Sequence, residues 1–437
     1  MVGDDYASEF LRPSRQAPDG LPQMDAGTGE RWGKSGMKAA RRFAFTLLIG
    51  VFLLQTGCWS AVELNERAFA RVMLIDQMEE GIELTLGFPL PNRLPSQAGG
   101  GGGGGGGNSE NEPFTYVTKT SSNLADAYRQ IQTDLPRRIT FGQLRNIVIG
   151  RHLAENGLES FVDFMARIPN IHINANLFMT EGRVMQITKF PVLFEKFPTD
   201  ILARYAKNQL TVTVTMKDLL DSLYHGGDFV VPLLVFGRQG TTEVKPDEKW
   251  MSTNGAALLR SGRLVGTLTS EESRGAMWIM GKVENTEVDV ASPADGKNIS
   301  FFIESAGTRI RSELSGGHIR IHITCKGDAR AILSNSNINL TDPRQLRQVE
   351  RALENELKER IRMTIEKVGQ SRTDAFQLGR YVEWRYPRQW NSIQPEWRRR
   401  LATDVEVEPH VKIRIISFGG ARKPEWNRII PNRGATS

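Results

Sequence analysis

The sequence predicts an α+β fold: three mixed α/β domains, the last an antiparallel sheet flanked by a long helix. Three observations predict it. Between residues 59 and 182, stretches of helical period alternate with short apolar runs of strand length. Further on, "HIRIHITCK" puts Ile319, Ile321, Ile323 and Cys325 on one side of a strand and His318, Arg320 and His322 on the other. Last, "TDPRQLRQVERALENELKERIRMTIEKVG" carries one long apolar stripe, and "VEVEPHVKIRIIS" follows to supply strands for it to pack on.

Taken in order, residues 1–36 are polar and rich in Gly, Pro and Asp, and they precede Met37. Translation is expected to start at Met37, with 1–36 a non-native extension. Lys38, Arg41 and Arg42 then lead into an uncharged run from Phe43 to Leu54, which Thr56, Gly57 and Cys58 follow. A basic start, a short apolar run and small residues before a cut describe a secretory signal peptide over 37–57. As a helix the run spans about 18 Å at about 1.5 Å per residue, short of the roughly 30 Å hydrocarbon core. A cysteine just after the cut resembles the bacterial lipoprotein signal, in which the thiol is lipidated and Cys58 becomes the new N-terminus. The usual motif has leucine three places before the cysteine; here Gln55 holds that place, with Leu54 one further out. Two acyl chains hold a protein to a bilayer, whereas one binds only marginally.

The segment 58–182 reads as an N-terminal α/β domain. "AFARVMLID" and "IELTLGFPL" form a hairpin about the turn Gln77–Gly81. Nine glycines, Gly99–Gly107, formally satisfy a phosphate-loop pattern, but Pro, Ser and Asn flank them in place of a strand and a helix, so they make a flexible loop. Leu124, Ala127, Tyr128, Ile131 and Leu135 mark a helix ended by Pro136. "LRNIVIG" is a buried strand, Leu158, Phe161, Val162 and Met165 mark a second helix, and "INANLFMT" is another strand. Residues 183–250 are a middle domain and linker, broken by Pro191 and Pro198. There "TVTMKDLLDSLYHGGDFVVPLLVFG" gives a short helix stopped by Gly226-Gly227 and then a strand, and Arg238–Trp250 is a polar hinge or loop. In 251–420, the C-terminal α+β domain, Asp342 caps the long helix, Pro343 suits its first turn, Gln345 is placed for a capping box, and Gly369 ends it. Its stripe is Leu346, Val349, Leu353, Leu357, Ile361, Ile365 and Val368. Residues 421–437 are a tail.

The charge of +6 over 437 residues is mild and spread out, which suits an anionic membrane surface and falls short of a nucleic-acid stripe. Cys58 and Cys325 are the two cysteines, so with Cys58 lipidated no disulfide forms, and Cys325 on the apolar face is a buried thiol. His318 and His322 would share a helix face, but in a strand they stand about 13 Å apart at about 3.3 Å per residue, too far for one ion. "GKS" at Gly33-Lys34-Ser35 lacks the phosphate loop's earlier glycine, which is Thr28. Glu271-Glu272, beside Ser270 and Arg274 at a helix start, favour the helix dipole over acid–base work. No catalytic, cofactor or metal residue is therefore assigned. The densest basic-aromatic cluster is Trp397, Arg398, Arg399 and Arg400, with Arg380, Arg385 and Arg388 nearby. It is either a solvated helix face or a contact for lipid headgroups or an acidic partner loop.

"CWSAVELNERAFARVMLID" resembles the opening of the Ger(x)C family, the lipoprotein C subunits of nutrient germinant receptors. Cys58, Trp59, Glu63, Leu64, Asn65, Glu66 and Asp76 match, and Ser60 replaces the usual Asp. "LPRRITFGQLRNIVIG" resembles a second family segment, with Gln143 in place of His. Leu264, Gly266, Leu268, Glu272, Ser273 and Gly275 match the start of the family's C-terminal domain, and Asp374, Phe376, Gly379, Tyr386, Pro387, Trp390 and Trp397 its closing signature. The resemblance runs from Cys58 to about Gly419. It implies three α+β domains and a non-catalytic, palmitate-bearing lipoprotein needed for spore germination, anchored by lipidated Cys58 on the outer face of the spore inner membrane. Its implied partners are A-type multi-spanning and B-type transporter-like receptor subunits, with no cofactor. Two other functions remain open. An extracytoplasmic solute-binding lipoprotein would need two similar lobes about a cleft, and a cell-wall hydrolase an acid–base constellation.

Overall fold

The computed structural model describes residues 43–46, 64–90, 113–168, 171–190, 197, 199–238 and 249–417. The expectations for Cys58, the polyglycine loop, most of the Arg238–Trp250 segment and the tail fall outside these residues. The chain from 63 onward forms one unit, apart from 1–62.

The N-terminal elements are β1 (Arg67–Phe69), β2 (Val72–Met78), β3 (Gly81–Pro89), β4 (Phe114–Ser121), α1 (Leu124–Asp134), β5 (Arg138–Thr140), β6 (Asn146–Gly150), α2 (Arg151–Asn156), α3 (Glu159–Arg167) and β7 (Asn176–Thr180). The expected hairpin is β2–β3, with the turn narrowed to Glu79-Glu80, because Met78 already pairs with Gly81. Asn123 caps α1 by accepting from the Asp126 N–H at 2.9 Å. Next come α4 (Asp200–Lys207), α5 (Met216–Tyr224) and β8 (Phe229–Arg238). Thr215 and Asp218 close a capping box on α5. The remaining elements are β9 (Lys249–Arg260), β10 (Arg263–Leu268), α6 (Ser270–Ile279), β11 (Glu284–Ala291), β12 (Asn298–Ser315), β13 (His318–Ser334), α7 (Pro343–Gln370), α8 (Leu378–Arg385), α9 (Pro387–Ile393), α10 (Trp397–Thr403) and β14 (Val405–Ser417).

Eight strands make the large sheet, in the order β10-β9-β8-β7-β6-β2-β3-β4. Its four central strands, β8, β7, β6 and β2, run parallel, and antiparallel strands flank them on both sides. The centre is buried on both faces. Met73, Ile75, Ile147, Ile149, Leu177 and Met179 join one core, whereas Val72, Leu74, Val148 and Phe178 join another with Ile187, Leu202 and Leu234. Two-sided burial explains why these strands read as unbroken apolar runs. A separate pair, β1 and β5, is parallel.

The C-terminal sheet has the order β11-β12-β13-β14. It differs from the antiparallel sheet expected: β11, β12 and β13 are antiparallel, but β14 joins β13 in parallel. The connection explains the difference. A hairpin reverses direction, whereas the crossover through α7 to α10 returns the chain to the end where β13 began. The expected late strand pair is also a single strand, with Pro409 tolerated because β14 is an edge.

The long helix bears out its stripe, with Val349, Leu353, Leu357, Ile361 and Val368 buried. Asp342 caps it, accepting from the Arg344 N–H at 2.8 Å. Gln345 does not complete a box; its Oε1 accepts from the Asn339 N–H at 2.7 Å. The helix runs one residue past Gly369. Glu354 and Glu350 on α7 accept from the Ile413 and Ile415 N–H groups at 3.2 and 3.1 Å, so the helix covers donors that an open sheet edge would expose. Where α6 crosses α7, a Cβ on Gly275 would sit 2.4 Å from the Arg360 carbonyl oxygen, so only glycine allows this approach. Thr364 Oγ1 donates to the Glu272 carbonyl at 2.7 Å and seals the crossing. Ile319, Ile321, Ile323 and Cys325 are all fully buried, as the alternation along β13 requires.

Candidate functional site at the Asp374 junction

Two buried carboxylates organise the place where β8, the β9–β10 turn, the α7–α8 loop and α10 meet. Asp228, immediately before β8, is 2% exposed, and Asp374, after α7, is 7% exposed. They are linked directly, since the Asp374 N–H donates to Asp228 Oδ2 at 2.8 Å. Asp374 Oδ1 accepts from the Leu378 N–H at 2.7 Å, and Oδ2 from the Gly379 N–H at 2.8 Å and Trp397 Nε1 at 2.7 Å. The two backbone donors belong to the first turn of α8, so the carboxylate caps that helix from four residues upstream. Burial pushes the Asp374 carboxyl up to about 7, against the pull of these three donors and with Asp228 nearby adding to the rise.

Asp228 receives the guanidinium of Arg398 on both oxygens, Nε to Oδ2 at 2.8 Å and Nη2 to Oδ1 at 2.7 Å. Arg398 Nη2 also reaches the Gly226 carbonyl at 2.8 Å and Ser261 Oγ at 2.9 Å, while the Ser261 N–H donates to Asp228 Oδ1 at 2.9 Å. A bidentate arginine is suited to this fork. One side chain thereby fastens α10 to the end of α5, the start of β8 and the β9–β10 turn.

The rings of Trp390 and Trp397 meet edge to face at 5.3 Å. Gly379 lies against both; a Cβ there would be 2.7 Å from Trp390 Cη2 and 2.8 Å from Trp397 Nε1. Beside the junction opens a cleft of about 460 Å³, lined among others by Tyr224, His225, Arg380, Trp390 and Arg399.

The four residues of the basic-aromatic cluster have different places. Trp397 is 5% exposed and bonded to Asp374, and Arg398 is committed to Asp228. Arg400 donates to the Gly317 carbonyl at 2.8 Å. Arg399, its side chain 56% exposed, pairs with Glu396 and Asp404 at the surface. Glu272 closes a capping box on α6, accepting from the Thr269 N–H at 2.7 Å. Asp76, at the end of the first apolar strand motif, is buried, and burial pushes its carboxyl up; it accepts from the Gln77 N–H at 2.9 Å. Sequence reading missed the pairing of Asp228 with Arg398. The signal available was an aspartate between two glycines and an apolar strand, a poor place for an unpaired charge.

The geometry at the junction ties elements together; its carboxylates accept from donors of the chain itself. Residues 60–236 match the family described as Spore germination protein N-terminal domain, and residues 254–419 that described as Spore germination B3/ GerAC like, C-terminal. Spore germination protein KC of Bacillus subtilis (strain 168) is 24% identical, with 84% of this chain and 94% of the relative covered. Spore germination protein B3 of the same organism is 22% identical, covering 89% of this chain and all of the relative. The crystal structure of the GerBC protein shares the fold, with a TM-score of 0.51 at 17% identity over 80% of this chain and 98% of that one. With matched segments running from residue 60 to residue 419, the chain belongs to the GerAC-like family of spore germination proteins.

Proposed function

We propose that the protein is a non-catalytic, lipid-anchored subunit of a nutrient germinant receptor, held at the outer face of the spore inner membrane beside A-type multi-spanning and B-type transporter-like subunits. The observation that carries this reading is the place of Cys58. It stands four residues after the end of the apolar run Phe43–Leu54 and two residues before the first family segment begins. Among the described residues no helix is long and apolar enough to cross a membrane. A diacylated cysteine would then supply the attachment, since each buried methylene contributes about 0.8 kcal/mol and two chains give stable anchoring. The carboxylates at the Asp374 junction, bonded to donors from separate parts of the chain, support a scaffolding role for the body of the protein.

Mass spectrometry of the protein isolated from spore membranes tests the anchor: the expected N-terminus is Cys58 bearing diacylglycerol, and a bare Cys58 inside a longer chain overturns it. A pull-down from detergent-solubilised spore membranes tests the complex. Recovery of multi-spanning partners is expected, and their absence counts against the assignment.

The cleft of about 460 Å³ favours a second reading, an extracytoplasmic solute-binding lipoprotein, because small-ligand pockets run from about 300 to 1,000 Å³. A thermal-shift screen of amino acids and sugars on the soluble body separates the two; a saturable shift removed by Trp390→Ala would favour solute binding.

A further inference from the structure

The open face of the C-terminal sheet carries a cluster that follows from its register. His322 on β13 stands opposite Glu408 on β14, and the next outward position of β14 is His410, opposite Thr324. The two imidazole rings stack at 5.7 Å with 22° between their planes. One oxygen, Glu408 Oε2, lies 3.0 Å from His322 Nδ1 and 3.5 Å from His410 Nε2, and one ligand atom from each of the three residues lies within 4.8 Å of the others.

We propose that His322 Nδ1, Glu408 Oε2 and His410 Nε2 form a three-ligand site for a divalent transition metal, zinc in the first instance, with the fourth position open to water. Three features carry this. First, ligands about 2.0–2.1 Å from a tetrahedral ion are about 3.3 Å apart, and the two carboxylate–imidazole separations bracket that edge. Second, two imidazoles and one carboxylate are a donor set suited to zinc, whereas oxygen-only sets suit calcium or magnesium. Third, the outer partners of the ligands are in place. Glu313 Oε2 lies 3.4 Å from His322 Nε2, the nitrogen that the metal would not use, and so fixes the tautomer. Arg320 Nε forms an ion pair with Glu408 Oε1 at 3.1 Å, on the oxygen that the ion would not use, which leaves Oε2 for the ion. Arg320 also reaches Glu406 at 2.9 Å, so its charge is shared between two carboxylates. The side chains are partly exposed, His410 most of all, so an ion can enter without any rearrangement of the fold.

Isothermal titration of zinc chloride into chelator-treated, tag-free full-length protein in detergent at neutral pH tests the site. One equivalent should bind in the micromolar range or tighter. Glu408→Gln and His410→Ala should each weaken binding by tenfold or more, and Glu313→Gln, which removes only the outer partner, by about tenfold. Unchanged thermal melts of the variants without zinc separate a lost ligand from a lost fold. Failure to take up zinc, or uptake indifferent to both Glu408→Gln and His410→Ala, overturns the proposal. The fold and the family reading stand in either case.

Discussion

Trp397 Nε1 donates to Asp374 Oδ2 at 2.7 Å, joining α10 to the loop that follows α7. The two residues are 23 apart in sequence, and both are buried. Trp397→Phe keeps a six-membered aromatic ring but removes the donor together with the pyrrole part of the indole. A carboxylate that loses one of its three hydrogen bonds in a buried site should cost about 1–3 kcal/mol. Urea unfolding at neutral pH reads this as a lowered midpoint with an unchanged slope; a midpoint within error of wild type would show that the bond contributes nothing net.

Gly379 enforces the same contact sterically. Gly379→Ala places a methyl 2.7 Å from Trp390 Cη2, so the edge-to-face indoles must shift, at a cost of about 1–3 kcal/mol. Gly237 on β8 is the control, because a Cβ there meets nothing within 4 Å. Gly237→Ala should leave stability unchanged or slightly raised, by reducing the freedom of the unfolded chain. Equal losses from the two variants would sink the steric argument.

Neighbouring arginines on α10 should behave in opposite ways. Arg398→Ala strands Asp228, which is 2% exposed, and should cost roughly 2–3 kcal/mol, below the loss for a fully buried pair because Arg398 itself is partly solvated. Arg399→Ala removes only surface pairs with Glu396 and Asp404 and should change stability by less than about 0.5 kcal/mol. Single variants, each with its own melting curve, are therefore needed before a germination defect in a triple arginine variant is assigned to a lost membrane or partner contact.

Legibility in the sequence followed locality. The long α7 stripe, the alternation on β13, the β2–β3 hairpin and the α5 stop at Gly226-Gly227 are short-range patterns, and each appears where residue spacing puts it. What stayed hidden depends on pairing across distance. The parallel entry of β14 depends on where the α7–α10 crossover returns the chain, which no local period encodes. The same blindness affected the histidines. Along β13, His318 and His322 are too far apart to share an ion, but the register of β13 on β14 gives His322 different neighbours, Glu408 and His410. Trp397 and Arg398 read from sequence as one surface cluster, and only the fold shows that two buried aspartates receive them.

Asp374 should also make stability depend on pH, in a direction opposite to that of a salt-bridged carboxylate. Its carboxyl is pushed up to about 7 in the folded chain by burial, from an ordinary 3.8. The folded state therefore holds a proton that the unfolded chain has released. The stabilisation from this group is complete below about pH 4 and is lost as pH rises through about 7, at up to about 1.4 kcal/mol per pH unit. Asp76 and Glu83, whose carboxyls burial also raises, add slopes of the same sign, so the total cannot be assigned to Asp374 from wild type alone. Asp374→Asn isolates its share. The variant loses an acceptor and starts less stable, but its side chain does not titrate. Denaturant midpoints measured from pH 5 to pH 8 should fall more steeply for wild type than for Asp374→Asn, so that the gap between them narrows as pH rises. Parallel lines would mean that Asp374 is already ionised throughout and that its three donors outweigh burial.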